Sequence, residues 1–435
     1  MSDAPLDGRT ILRFAHAFES GGGTERYLDD LDRALLARNA MTVVRLHLTR
    51  RPPGFGPTEE SIGRGKLIHV PLPIIPGADG NLPADDEHTL RFRIKQLVRD
   101  WGIYNPLVWH TVGAKWLAGL KLPAQAGQAV GAGAAAADVM RSRRVDLAVM
   151  HFFGGADADE VIVETQKAGV PFAVLNHYSN DRFLHLAIRK HAMQANGVSG
   201  VNGLQLPHYV RRGFANLSDG IDTDFFRRDR ARPLSKPPAE PIILLPARVV
   251  REKGQLDLVR AVATLRRSGI ACCAAFAGRF DSTGFVDELQ REIAAAGVAD
   301  SIHFLGGLTV EELRDWYAAS TVVAFPTYHH EGLGRVIVEA QALGVPVVAY
   351  ATGGVAEGID DGKTGYLLPT GDLPGLTKRL QELLASPALR STMGTQGRSA
   401  AEERFSLAAL ASRHERFYAR VMADADRGRT APSPL

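Results

Sequence analysis

The stretch that most restricts how this chain can fold runs from Thr321 to Ala349. An apolar run, Thr321 to Phe325, stops at Pro326 and gives way to Thr327-Tyr-His-His-Glu331-Gly-Leu-Gly334. A helix-like segment from Arg335 carries Glu339, and Val345-Pro-Val-Val-Ala349 reads as another strand. Strand, glycine loop, helix and strand make a βαβ unit, which belongs in a parallel sheet. Ligands of such sheets sit beyond the carboxyl ends of the strands, where Glu331 falls. The first-turn amides of the helix favour an anion such as phosphate. The helix is apolar nearly all round, through Val336, Ile337, Val338, Ala340, Ala342 and Leu343, and is expected to be buried. A carboxylate at 339 then needs hydrogen-bond donors, which sugar or ribose hydroxyls would supply. A purely structural reading also fits: Glu331 caps the helix and Glu339 pairs with a buried arginine.

The same alternation recurs along 435 residues, enough for two domains. Thr10 to Ala15 reads as the opening strand, followed by Glu19-Ser-Gly-Gly-Gly-Thr-Glu25, a helix spaced by Tyr27, Leu28, Leu31, Leu35 and Leu36, and a strand over Thr42 to Leu48. Gly22 and Gly23 would let a ligand approach the backbone, although a tight turn would need glycines equally. Three consecutive glycines do not make the dinucleotide motif G-x-G-x-x-G. Residues 50–145 lose the rhythm; their prolines and Ala-rich segment suggest long loops, with helices around His88–Trp101 and Ala114–Ala118. From Val145 it returns, with strands over Asp146–His151 and Val170–His177 and a helix between them. His151 and His177 therefore sit at carboxyl ends of strands.

Arg227 to Pro241 is the linker-like stretch, rich in Arg, Pro and Lys. Beyond it, Arg248 and Lys253 occupy a strand-to-helix loop, the place for cations that clamp a diphosphate, though solvated loop cations would look alike. Helices over Leu256–Arg266, Phe285–Ala296 and Val310–Ala319 alternate with strands as far as the opening stretch. Thr352-Gly-Gly354, a turn over Asp360–Gly365 and helices to about Asp424 follow it. The expected domains are 1–222 and 223–410, with 411–435 a terminal helix and tail packing back on the first.

Composition narrows the function. The formal net charge of +3 lacks the basic excess of a dedicated nucleic-acid binder. The only cysteines, Cys272 and Cys273, are adjacent, which rules out a zinc site or a disulfide framework. No signal peptide is visible, and the Ala124–Met140 segment is too polar and short to span a bilayer, so the cytoplasm is the expected compartment. Asp222-Thr-Asp224 has the Asp-x-Asp metal spacing, but it leads into Phe225-Phe226 and the linker; no metal is expected.

Taken together, Glu331-x7-Glu339 within Glu-Gly-Leu-Gly-Arg-Val-Ile-Val-Glu-Ala resembles the hallmark of the retaining family-4 glycosyltransferases. Ala247-Arg248-Val-Val-Arg-Glu-Lys253-Gly resembles that family's phosphate loop, Asp219-Gly-Ile-Asp222 with Phe226 its interdomain segment, and Gly21-Gly-Gly-Thr-Glu25 its glycine loop. His177 falls at its active-site histidine. The similarity covers about 10–48, 145–226 and 241–405.

It implies an α/β protein of GT-B fold, two Rossmann-like domains facing each other across a cleft. It also implies sugar transfer from a UDP- or GDP-sugar to an acceptor hydroxyl, with retention and no required cofactor, in bacterial polysaccharide or glycoconjugate synthesis. Arg248 and Lys253 would bind the diphosphate, Glu339 the ribose, and Glu331 and His177 the transferred sugar. Gly22, Gly23, Gly332, Leu333 and Gly334 would line the donor through their backbone. The partners implied are the nucleotide sugar and a sugar or lipid-linked glycan acceptor, with peripheral attachment to the inner membrane face and no nucleic acid. The alternatives are a nucleotide-sugar hydrolase or epimerase, and a non-catalytic nucleotide-sugar binder. Leu333, often Phe in the family, and His329-His330 are individual to this chain.

Overall fold

Alternating apolar strands and amphipathic helices resolve into two sheets. The computed structural model describes residues 4–18, 23–49, 57–73, 131–151, 156–176, 195–200, 214–280 and 283–427. The first half contributes β1 (Thr10–Phe18), α1 (Gly23–Arg38), β2 (Thr42–Thr49), β3 (Thr58–Ile62) and β4 (Gly65–Pro73). It continues with α2 (Ala132–Ser142), β5 (Leu147–His151), α3 (Ala156–Lys167), β6 (Phe172–Asn176), β7 (Gly197–Gly200) and β8 (Phe214–Asn216). Their sheet runs β3-β4-β2-β1-β5-β6-β7-β8, parallel except for the β3–β4 pair.

The second half contributes β9 (Ile242–Leu245), α4 (Gln255–Arg267), β10 (Cys273–Ala277), α5 (Thr283–Ala296), β11 (Ile302–Gly306), α6 (Val310–Ala319) and β12 (Val322–Phe325). Then come α7 (Arg335–Ala342), β13 (Val347–Tyr350), α8 (Val355–Gly358), β14 (Gly365–Leu368), α9 (Leu373–Ala385), α10 (Pro387–Phe405) and α11 (Leu407–Asp426). Its sheet is wholly parallel in the order β11-β10-β9-β12-β13-β14. Numbered from β9, that is 3-2-1-4-5-6, the doubly wound order whose direction reverses between β9 and β12. The first sheet reverses likewise between β1 and β5.

These strands are buried on both faces, as parallel sheets require: Ile242 to Leu245 and Val322 to Phe325 are all at most 4% exposed. Four arrangements differ from the sequence reading. Residues 57–73, expected as loop, form the β3–β4 hairpin at the sheet's edge; the solvent-facing Thr58-Glu-Glu-Ser-Ile lacks an apolar alternation. Part of the Ala-rich segment is helix α2, which buries Ala132, Gly133, Ala136 and Val139. Short strands β7, β8 and β14 carry too few residues to show a period. Helix α11 begins at Leu407, so a division at 411 falls inside one continuous helix. The helices expected at 88–101 and 114–118 lie outside the described residues.

The chain crosses between the halves twice. The crossings run side by side, with an Ile221–Ser406 bridge and the Ile221 amide donating to the Phe405 carbonyl at 2.8 Å. Arg413 pins them, donating to the carbonyls of Leu217 (3.1 Å), Ser218 (3.3 Å) and Asp219 (3.3 Å) and also reaching the carbonyl of Arg404. Ser218, at φ +30°, is the only non-glycine with positive φ among the described residues. Helix α11 then returns to the first half, where Leu410, Phe417, Tyr418 and Val421 join the core of α1 and β1.

Candidate active site at the reversal point of the second sheet

Neighbouring strands β9 and β12 point their carboxyl ends at one place, and each delivers a loop there. The β9 loop folds into a 3-10 turn over Arg251–Lys253 and ends at Gly254, the residue before α4. Gly254 has φ +79°, and a Cβ there would lie 2.0 Å from the Pro326 carbonyl oxygen. Only glycine allows the two loops this approach.

Hydrogen bonds then fasten loop to loop. The Glu252 carbonyl accepts from the Tyr328 amide at 2.7 Å and the Thr327 hydroxyl at 3.1 Å. Gln255, fully buried, donates to the Arg248 carbonyl at 2.9 Å. The phenols of Tyr328 and Tyr350 both donate to Asp257 Oδ2 at 2.7 Å. Burial, with Asp257 reinforcing, pushes the Tyr328 phenol up to about 12. Behind the β12 loop, the Gly354 amide donates to the Glu331 carbonyl at 2.9 Å, and a Cβ at Gly353 would come within 2.6 Å of that oxygen. Thr352-Gly-Gly354, singled out in the sequence, is thus the backing of the Glu331 loop.

Lys253 and Glu331, 78 residues apart, form an ion pair through Lys253 Nζ and Glu331 Oε1; their side chains are 12% and 18% exposed. Arg248 is exposed, and its charge, like those of Lys253 and Glu331, acts on His329. Burial holds the His329 imidazole below its ordinary value, with Lys253 reinforcing and Glu331 opposing. Gly334, at φ +76°, is the N-cap of α7 and offers no side chain to cap it. The Leu333 side chain is 2% exposed in the core, which leaves only its backbone to face a ligand. Glu339 is 2% exposed; Oε2 accepts from the Tyr317 phenol at 2.9 Å, and Oε1 stands 3.7 Å from Arg335 Nε with no hydrogen-bond partner among the described residues.

The remaining sequence candidates separate. His151 ends β5 but is fully buried against Arg13 Nη1, a place in the core rather than on an open edge. Asp222 Oδ1 accepts from the amides of Asp224 (2.9 Å) and Phe225 (2.8 Å), closing a local turn. Among the described residues no group of three or more His, Cys, Asp or Glu could hold a metal. Gly23 opens α1; Gly22 and His177 lie outside the described residues. Sequence reasoning passed over Asp257, Tyr317, Tyr328 and Arg335. Arg335 carried a readable signal: a cation on an apolar helix, four residues before Glu339.

Two doubly wound domains, joined by paired crossings and carrying their site at a strand reversal, define a GT-B protein. A sucrose-phosphate synthase of Thermosynechococcus elongatus shares the fold (TM-score 0.65, 20% identity, covering 95% of this chain and 99% of that one). So does Anabaena HepE, solved with UDP and glucose (TM-score 0.61, 18% identity, 94% and 98%). Residues 226–400 match the model for glycosyl transferases group 1.

Among curated relatives it is 37% identical over 194 residues to a GDP-mannose-dependent α-(1-6)-phosphatidylinositol monomannoside mannosyltransferase of Mycolicibacterium smegmatis (42% of this chain, 50% of that one). It is 34% identical over 219 residues to a D-inositol 3-phosphate glycosyltransferase of Corynebacterium aurimucosum (47% and 51%). The chain spans about half the length of these relatives.

Proposed function

We propose that the chain transfers a sugar from a nucleoside-diphosphate sugar to an acceptor hydroxyl, with retention of configuration and without a metal ion. The observation that carries this reading is the Lys253–Glu331 pair, assembled from two loops at the sheet reversal. A diphosphate competes with Glu331 for Lys253. Once displaced, the carboxylate accepts from the donor sugar's hydroxyls while Lys253 and Arg248 hold the phosphates. As the glycosidic bond lengthens, negative charge gathers on the departing diphosphate, and preformed cations there lower the barrier. The amides of Gly332 to Gly334 add donors, and Glu339 Oε1 accepts from the ribose. On the resemblance, His177 contacts the transferred sugar, while Gly22 and Gly23 approach the donor phosphates or acceptor.

The relatives' GDP-mannose and the UDP of HepE support a GDP- or UDP-sugar donor. The phosphatidylinositol and inositol phosphate names support a polyol or lipid-linked acceptor. An acceptor of the lipid-linked kind places the first domain at the cytoplasmic membrane face; no described helix is long and apolar enough to cross a membrane. Intact Lys253, Arg248 and Glu331 favour transfer over mere binding, which does not need a carboxylate at the sugar.

Calorimetry with GDP and UDP tests the clamp. Arg248→Ala with Lys253→Ala should abolish measurable binding of whichever nucleotide the wild type takes, and unchanged affinity would sink the assignment. Loss of a single charge-stabilising donor lowers kcat by roughly 10²–10³-fold, the range expected for Lys253→Ala. Transfer should persist in EDTA.

A further inference from the structure

Arg335 opens α7 and has no part in the clamp, yet its side chain is only 12% exposed. Nη2 reaches Asp30 Oδ2 on α1, in the opposite domain, at 3.0 Å. Nη1 donates to Asp219 Oδ1 at 3.2 Å and to the Gly220 carbonyl at 3.0 Å, both in the first crossing. Nε stands 3.7 Å from Glu339 Oε1. One guanidinium therefore meets three carboxylates from three elements. An aliphatic residue would suit an apolar helix with no charge to desolvate, so a cation in this place is held by those carboxylates.

We propose that Arg335 is a positioning residue that ties the donor-side helix to α1 of the opposite domain, so that Glu339 is held for a ribose hydroxyl only while the domains touch. The last clause rests on the donor reading above; the tie between domains does not. Without Arg335, Asp30, Asp219 and Glu339 would face one another unneutralised, and the contact between α1 and α7 would be repulsive.

The cluster also carries a pH dependence. Burial pushes the Asp30 carboxyl up to about 6, with Asp219 and Asp29 adding to it and Arg335 pulling it down. The charged and titratable groups around it are Arg335 and Glu339 on α7, Asp219 in the crossing, Asp29 and Arg26 on α1, and Tyr317 on α6. Parted domains would return Asp30 to water and the ordinary carboxylate range. The touching state thus binds its proton more tightly and gains as pH falls through about 6. Ionisation above that point opposes the contact, and Arg335 offsets it.

Small-angle scattering of the full chain at pH 7.5 and 5.5, with circular dichroism as the folding control, tests the tie without any ligand. Arg335→Gln should enlarge the radius of gyration at pH 7.5, Arg335→Lys should restore the compact form, and Asp30→Asn should erase the difference between the two pH values. Identical wild-type and Arg335→Gln profiles would overturn the proposal. Calorimetry with GDP and UDP reads the second part: Arg335→Gln should bind about tenfold more weakly, as moderate coupling between sites gives. Expansion with unchanged affinity would overturn the positioning of Glu339. A wild type that binds neither nucleotide would count against the donor reading, leaving the scattering to decide the tie.

Discussion

Gly254 shows how much of the site a single residue can decide. Its left-handed backbone, at φ +79°, and the Pro326 carbonyl lying 2.0 Å from any added Cβ are independent demands for glycine. Gly254→Ala should therefore destabilise by more than the roughly 1–3 kcal/mol of a strained backbone alone, and it should part Lys253 from Glu331. Thermal denaturation with nucleotide calorimetry checks this; an alanine variant of wild-type stability and affinity would refute it. Residues whose position follows from local pattern could be singled out in advance: Glu331 and Lys253 both follow strands, and the structure pairs them. Residues that act through distant partners were not. No spacing joins Tyr328 to Asp257, 71 residues away, or Arg335 to Asp30, 305 residues away.

Among elements, β9, β12 and α7 were readable because buried parallel strands and an apolar helix announce themselves in runs of Val, Ile, Leu and Ala. The β3–β4 hairpin was not, since β3 faces solvent and β4 closes with Pro71 and Pro73. The first sheet hides a further feature, a buried ion network between strand and helix. Asp32 of α1 holds Arg13 of β1 at 2.9 Å and Arg45 of β2 at 2.6 Å, with the Asp32 and Arg13 side chains wholly enclosed. Asp32→Ala leaves two guanidinium groups without their carboxylate in the interior, which should cost about 3–5 kcal/mol. Chemical denaturation would measure it, and a loss under 1 kcal/mol would mean that the arginines find other partners. Nothing in the spacing of β1 or β2 marks Arg13 or Arg45 as buried, because their enclosure depends on Asp32 of the neighbouring helix.

At the scale of the molecule, the reversed strand order of the second sheet places the candidate site at the β9–β12 edge, and the paired crossings join the two domains. The two-domain α/β architecture was recoverable from the sequence. The side-by-side course of 217–221 and 404–406 was not, because it depends on Arg413 reaching back 196 residues to Leu217.

Helix α11 has a consequence for biogenesis. Leu410, Ala411, Phe417, Tyr418, Val421 and Met422 complete a core otherwise built from residues 6–217. At roughly 1.5–3 kcal/mol for each large apolar side chain, their absence removes an amount comparable with the 5–15 kcal/mol that holds a typical domain together. A nascent chain can thus close its second domain while the first, synthesised earlier, still waits for residues 407–426. A fragment ending at Phe405 should be readily digested across its first 200 or so residues while the second domain resists. Equal resistance in both would show that the first domain matures alone. The part of the chain made first is the part finished last.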